Sequence, residues 1–197
     1  MATVEIAALV RDAAAGETTA WDALVERFAG LVWSVPRGYG LSQADAADVS
    51  QTTWLRLAEH LHRLREPERV GGWLATTARN ESLRVQRLAR RHVPMEALAE
   101  LPGEATGEGE DRVLDEERDA ALWRAFESLP SPCKVLLRTL MADPAPSYGE
   151  VSAVLDMPIG SIGPKRSRCL QHLRNSAALV AARQDQDHPV AARRAAV

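Results

Sequence analysis

Two cysteines, Cys133 and Cys169, are all that 197 residues provide. A disulfide framework or a structural zinc site needs more ligands at closer spacing, so two isolated, reduced, partly buried thiols are expected. Apolar runs are short as well. None approaches the roughly 20 residues of a membrane-spanning helix, and the opening MATVEIAALVRDAAAGE lacks the basic start and apolar core of a secretory leader. Both absences fit a cytoplasmic protein. Aromatic side chains make up 5% of the chain, with five Trp against two Phe and two Tyr, so aliphatic residues must build most of the core. Period-two alternation is missing, which argues against sheets. Catalytic signatures are missing too. His60 and His62 beside Glu59 lack the HExxH spacing of a metalloprotease, and there is neither a glycine-rich phosphate loop nor a nucleophile elbow. No enzyme, metal or cofactor is expected.

What the chain does have is charge sorted by segment. The formal net charge of −3 conceals two basic stretches and one acidic one. Arg79, Arg84, Arg87, Arg90 and Arg91 face a single acid, Glu81, giving +4. Ser161–Arg174 holds four cations and no acid, again +4. Between them Glu96–Asp119 carries ten acids against Arg112 and Arg118, a net −8. Two cationic helices separated by an acidic strap suit a polyanionic partner far better than the total suggests.

Helical periodicity runs through the rest. Trp21, Leu24, Val25, Phe28, Leu31, Val32 and Val35 form one apolar stripe, ended by Pro36-Arg37-Gly38. A second helix is expected from Gln43 to Leu64, with Val49, Thr53, Leu57, Leu61 and Leu64 inward. The Pro- and Gly-bearing loop Arg65–Gly72 follows, then a third helix from Trp73 with Leu74, Ala78, Val85 and Leu88 inward. From Met95 to Glu117 the chain turns to Gly, Pro and acid, the composition of a flexible, self-repelling linker. Helical pattern resumes over Asp119–Leu129, with Leu122, Phe126 and Leu129 inward, and again over Cys133–Met141. The Ala-rich tail after Asn175 reads as frayed or disordered.

The stretch SYGEVSAVLDMPIGSIGPKRSRCLQHLR, Ser147–Arg174, reads as two short helices around a tight turn. Ser147 and Glu150 have capping-box spacing. Pro158 and Gly160 break the first helix, and Ser161 can cap the second, with Pro164 in its first turn where a missing N–H costs nothing. Ile162, Cys169, Leu170 and Leu173 can face inward. Lys165, Arg166 and Arg168 then face outward beside Ser161, an arrangement suited to phosphates and the major groove. A plain helical hairpin with a solvated basic face would look similar.

Four passages in order, DAADVSQTTWLRLAEHL, GGWLATTARNESLRVQRLARR, FESLPSPCKVLLRTL and this helix-turn-helix, resemble the extracytoplasmic-function group of bacterial sigma factors in the sigma-70 family. The resemblance covers about residues 21–91 and 122–174. It implies an all-α protein of two small helical domains joined by a flexible acidic linker. Sigma domain 2 would span 1–94, the linker 95–117, sigma domain 4 with its helix-turn-helix 118–176, and a disordered tail 177–197. It further implies an RNA polymerase sigma factor that binds core polymerase and promoter DNA, with an anti-sigma factor as a further expected partner.

By that resemblance, Asp48, Gln51, Trp54 and Leu55, on a DxxQxxWL pattern, would dock on the polymerase clamp. From the residues alone, Trp54 as core and Asp48 as merely solvated is the favoured reading. Arg79 and Asn80 match the family's Arg-Asn pair at the −10 element, with Arg84, Arg87, Arg90 and Arg91 as the basic continuation and Arg65–Gly72 as the loop receiving a flipped base. Ser161, Lys165, Arg166 and Arg168 would read the −35 element. Gly163-Pro164 departs from the family's usual basic residue and Ser or Thr, so the preferred −35 sequence does not carry over. A stand-alone helix-turn-helix regulator is the competing reading, although no dimerisation helix is visible.

Overall fold

The computed structural model describes residues 2–92 and 110–181, with side chains over 5–89 and 119–181. All regular structure among the described residues is helical. In chain order it comprises α1 (Ala2–Ala14), α2 (Thr18–Gly38), α3 (Gln43–His60), α4 (Val70–His92), α5 (Glu110–Glu127), α6 (Ser131–Leu140), α7 (Tyr148–Leu155) and α8 (Ile162–Arg174). Short 3₁₀ turns lie at Leu61–Arg63, Pro67–Arg69 and Ile159–Ser161.

Two compact units divide the chain. One combines Met1–Val93 with Ser131–Pro164, the other Pro94–Pro130 with Lys165–Val197. In the first, α2 is the central helix. Leu24, Phe28, Leu31, Val32 and Val35 lie on its apolar stripe and are buried against Leu57 of α3 and Leu74, Ala75 and Ala78 of α4. Fully burying one such aliphatic side chain contributes about 1.5–3 kcal/mol. Val135 of α6 and Val154 of α7 belong to this same cluster, so both helices pack as integral parts of the unit.

Close approach requires glycine at Gly38, beside Val135 Cα, and at Gly30 and Gly71. At Gly30 of α2 a Cβ would collide with the main-chain carbonyl of Asp143. At Gly71 of α4 it would collide with the Glu150 carboxylate and with Phe28. Gly71 and Gly72 are thus the opening turn of α4 rather than loop, and only the residues up to Arg69 connect it to α3.

Several expected boundaries shift, each for a local reason. Helix α1 was not anticipated, although Ile6, Leu9, Val10 and Ala13 carry the helical spacing; Val10 is buried and the other three pack on the core. Helix α2 runs through Pro36 to Gly38 because proline in the last turn costs one N–H, while Tyr39 N–H still reaches Val35 O. Helix α3 stops at His60, four residues early, and tightens into the 3₁₀ turn. Val85 is half-buried and Leu88 is 41% exposed, because α4 outruns its neighbours.

In the second unit α5 begins at Glu110, inside the stretch read as linker. Its Glu, Leu, Arg and Ala content favours helix without an apolar stripe to reveal it. Ala121, Ala125, Phe126 and Leu129 are buried, whereas Leu122 is 44% exposed. Residues 93–109 lie outside the described residues. Neither Cys133 nor Cys169 is a free thiol, against the expectation of reduced thiols; sequence spacing does not report a cysteine's oxidation state. Residues 177–181 are helical, with Ser176 Oγ accepting from Leu179 N–H, so the tail's start is ordered. Residues 182–197 lie outside the described residues.

Candidate functional site

The outer face of α3 is set by its cap and its buried residues. Ser42 Oγ accepts from Asp45 N–H at 3.1 Å, and Ala46, Val49, Thr53 and Leu57 turn inward. That leaves Asp48, Gln51 and Leu55 outward at three- and four-residue spacing, with Leu55 60% exposed. Trp54 is half-buried: it packs on the core and meets Trp21 of α2 edge-to-face, centroids 6.1 Å apart at 71°. Trp54 therefore combines both readings, core on one side and surface on the other. Together these residues line a shallow hollow of about 550 Å³, apolar at its walls and flanked by a carboxylate and an amide. Its spacing alone puts Trp21 on the core stripe. Its half-burial on the same surface was not legible from periodicity.

Helix α4 presents Asn80, Arg84 and Arg87 outward, four and three residues apart on one stripe. Arg87 donates from Nε to Leu83 O at 3.1 Å. Arg84 donates from Nε to Glu81 Oε2 at 2.7 Å, and Arg56 of α3 reaches the other oxygen, Oε1, at 2.7 Å. The Glu81 side chain is 5% exposed. The single acid in the arginine run is thus no diluting surface charge but a buried anchor between α3 and α4.

Arg79 points elsewhere. It is 24% exposed, its Nη2 lies 3.1 Å from Asp156 Oδ2, and its Nε is buried without an acceptor among the described residues. Arg90 and Arg91 occupy the last turn of α4, with side chains outside those described. The connection before α4 exposes Arg65, Glu66, Glu68 and Arg69, and Arg69 pairs with Glu66 at 3.0 Å.

In α7 the capping box is complete: Ser147 Oγ accepts from Glu150 N–H, and the Glu150 carboxylate accepts from Ser147 N–H. Asp156 ends the helix in the left-handed region (φ 52°, ψ 53°), a conformation Asp tolerates better than most residues. The 3₁₀ turn closes at Ser161, which is half-buried immediately before α8. Along α8, Lys165 is half-buried while Arg166 and Arg168 are exposed. Asp48, Gln51, Trp54 and Leu55 thus share one surface, and Asn80, Arg84 and Arg87 share another; Arg79 stands apart from the latter stripe. No grouping of His, Cys, Asp and Glu among the described residues could hold a metal ion. Nor is any described helix long and apolar enough to cross a membrane.

A family profile for sigma-70 region 2 matches residues 24–94, which contain α3 and α4. The ECF RNA polymerase sigma factor SigE of Mycolicibacterium smegmatis is 30% identical over 159 residues, covering 79% of this chain. The chain spans 60% of the length of that relative. The ECF RNA polymerase sigma-E factor of Escherichia coli is 25% identical over 176 residues, covering 85% of this chain and 91% of that protein. Among solved structures, CnrH in complex with the cytosolic domain of CnrY has a similar fold. Its TM-score is 0.58 at 20% identity, over 90% of this chain and 97% of that one.

Proposed function

We propose that this chain, which belongs to the extracytoplasmic-function group of the sigma-70 family, is a promoter-specificity subunit. It binds core RNA polymerase and directs promoter recognition and initiation, with no catalysis of its own. Segments 1–94 and 118–176 would serve as sigma domains 2 and 4 on the acidic linker, acting in the cytoplasm where polymerase works.

The observation that carries this reading is the adjacency of two unlike surfaces on α3 and α4. An exposed Leu55 and a half-buried Trp pair beside Asp48 and Gln51 form an apolar anchor with polar edges, the composition of an interface hot spot. This surface would take the polymerase. The cationic stripe of α4 would take the −10 strand. Asn80 offers hydrogen bonds to an unstacked base, whose extrusion costs a few kcal/mol, while Arg84 and Arg87 follow phosphates. Arg79, Arg90 and Arg91 extend the same role. Ser161, Lys165, Arg166 and Arg168 would contact the −35 duplex, each good side-chain-to-base pair contributing about 1–3 kcal/mol of discrimination. CnrH is found with the cytosolic domain of CnrY, which supports a comparable regulatory partner, an anti-sigma factor, for this chain.

Run-off transcription with bacterial core polymerase tests the proposal. Promoter-dependent transcripts are expected only when the chain is added. Failure to associate with core enzyme would overturn it, and tight duplex binding without polymerase would mark a stand-alone regulator.

A further inference from the structure

We propose that Arg56 and Arg84 form a seat for one backbone phosphate of promoter DNA, held in place by the buried carboxylate of Glu81 as positioning residue. The inference rests on the sigma-factor reading and adds a residue, Arg56, that the polymerase-docking pattern on α3 does not include.

The geometry is specific. Glu81 spends one oxygen on each arginine, both at 2.7 Å, and is itself 5% exposed, whereas Arg56 and Arg84 are 45% and 52% exposed. A single arginine gripping both oxygens would suffice to neutralise a buried carboxylate. Here two are used, so the cluster keeps an excess positive charge, and it lies at the solvent edge. Arg84 engages Glu81 through Nε, and no other described residue takes its terminal nitrogens. Arg56 engages through Nη2 alone. Among the described residues nothing else accepts from either guanidinium. Two planar donors held by one carboxylate, with unspent N–H groups, are the donor type that suits a phosphodiester.

Position agrees with geometry. Arg84 lies one turn beyond Asn80 and three residues before Arg87 on the outward stripe of α4. A strand following that stripe reaches the α3–α4 seam at Arg84, where Arg56 approaches from the other helix. Side-chain entropy that a mobile surface arginine would lose on binding has here been removed beforehand by Glu81.

Preformed holoenzyme, assembled at saturating chain, tests this on promoter DNA across 50–200 mM salt. Each phosphate contact contributes about −0.9 to the logarithmic salt slope on duplex and about −0.7 on a single strand. Arg56→Met keeps the stem and leaves Glu81 paired with Arg84. It should make the affinity loss over that salt range about three-fold smaller, with unchanged discrimination between promoter sequences. Glu81→Gln, assayed where circular dichroism reports a folded chain, should keep the wild-type slope but weaken binding several-fold. A purely structural carboxylate would instead lower the melting temperature and leave binding of the folded fraction unchanged. A wild-type slope for Arg56→Met overturns the seat, and should Glu81→Gln not fold, that measurement decides alone. If wild-type holoenzyme forms no promoter complex at all, the sigma-factor reading fails and takes the seat with it.

Discussion

Asp156 holds Arg79 across the seam between α7 and α4, Oδ2 to Nη2 at 3.1 Å, although Asp156 is 76% exposed and Arg79 only 24%. The pair joins the turn after α7 to α4, the helix proposed to take the −10 element. Asp156→Asn keeps a residue that tolerates positive φ while removing the charge. Because an exposed pair contributes about 0–1 kcal/mol, urea unfolding should change by less than that. If the pair competes with DNA for Arg79, promoter binding by the variant holoenzyme should strengthen. A large stability loss would show that Asp156 matters for the turn itself.

Leu55 and Trp54 separate binding from folding. Leu55→Ala removes a side chain that is 60% exposed, so thermal stability should shift by no more than about 0.5 kcal/mol. Affinity for core polymerase, measured by fluorescence titration, should nevertheless fall at least several-fold. Equal wild-type affinity would remove Leu55 from the docking surface. Trp54→Ala should lower both quantities, because one face of its ring packs on the core and against Trp21, an aromatic pair contributing about 0.5–1.5 kcal/mol beyond area burial.

Two glycine substitutions should have opposite signs. Gly30→Ala drives a methyl group into the Asp143 carbonyl, where backbone must move, and should destabilise by about 1–3 kcal/mol. Gly72→Ala meets open space inside a helix and should stabilise by about 0.5–1 kcal/mol. Urea denaturation of both variants checks the pair. Equal effects would mean that α2 does not approach the Asp143 backbone so closely.

Ser147→Ala should cost about 0.5–2 kcal/mol through loss of the N-cap. Amide exchange should rise first at Glu150, whose N–H loses its acceptor. Protection unchanged there would indicate that water replaces the hydroxyl.

The helical class, the inward stripes of α2 and α3 and the capping box at Ser147 were legible because each is a local pattern with a fixed period. Helix α1 carries the same spacing in Ile6, Leu9, Val10 and Ala13, but the alanines on either side blur its apolar stripe. Helix α5 had no stripe to read; only propensity marked it. The resemblance singled out Asp48, Gln51 and Leu55 and their spacing put them on one stripe, but the half-burial of Trp54 depended on Trp21, a residue on another helix. Glu81 is the sharpest case. In sequence it is one acid diluting five arginines, and nothing local says that Arg56, on the preceding helix, shares it. Charge tallies assign sign to a segment and cannot assign partners across a seam.

Gly71 lies flush against the side chain that closes the first turn of α7. Any residue larger than hydrogen there would have to evict that carboxylate before α4 could begin. The beginnings of two helices far apart in the chain are therefore a single joint, and an alteration to one should loosen the other.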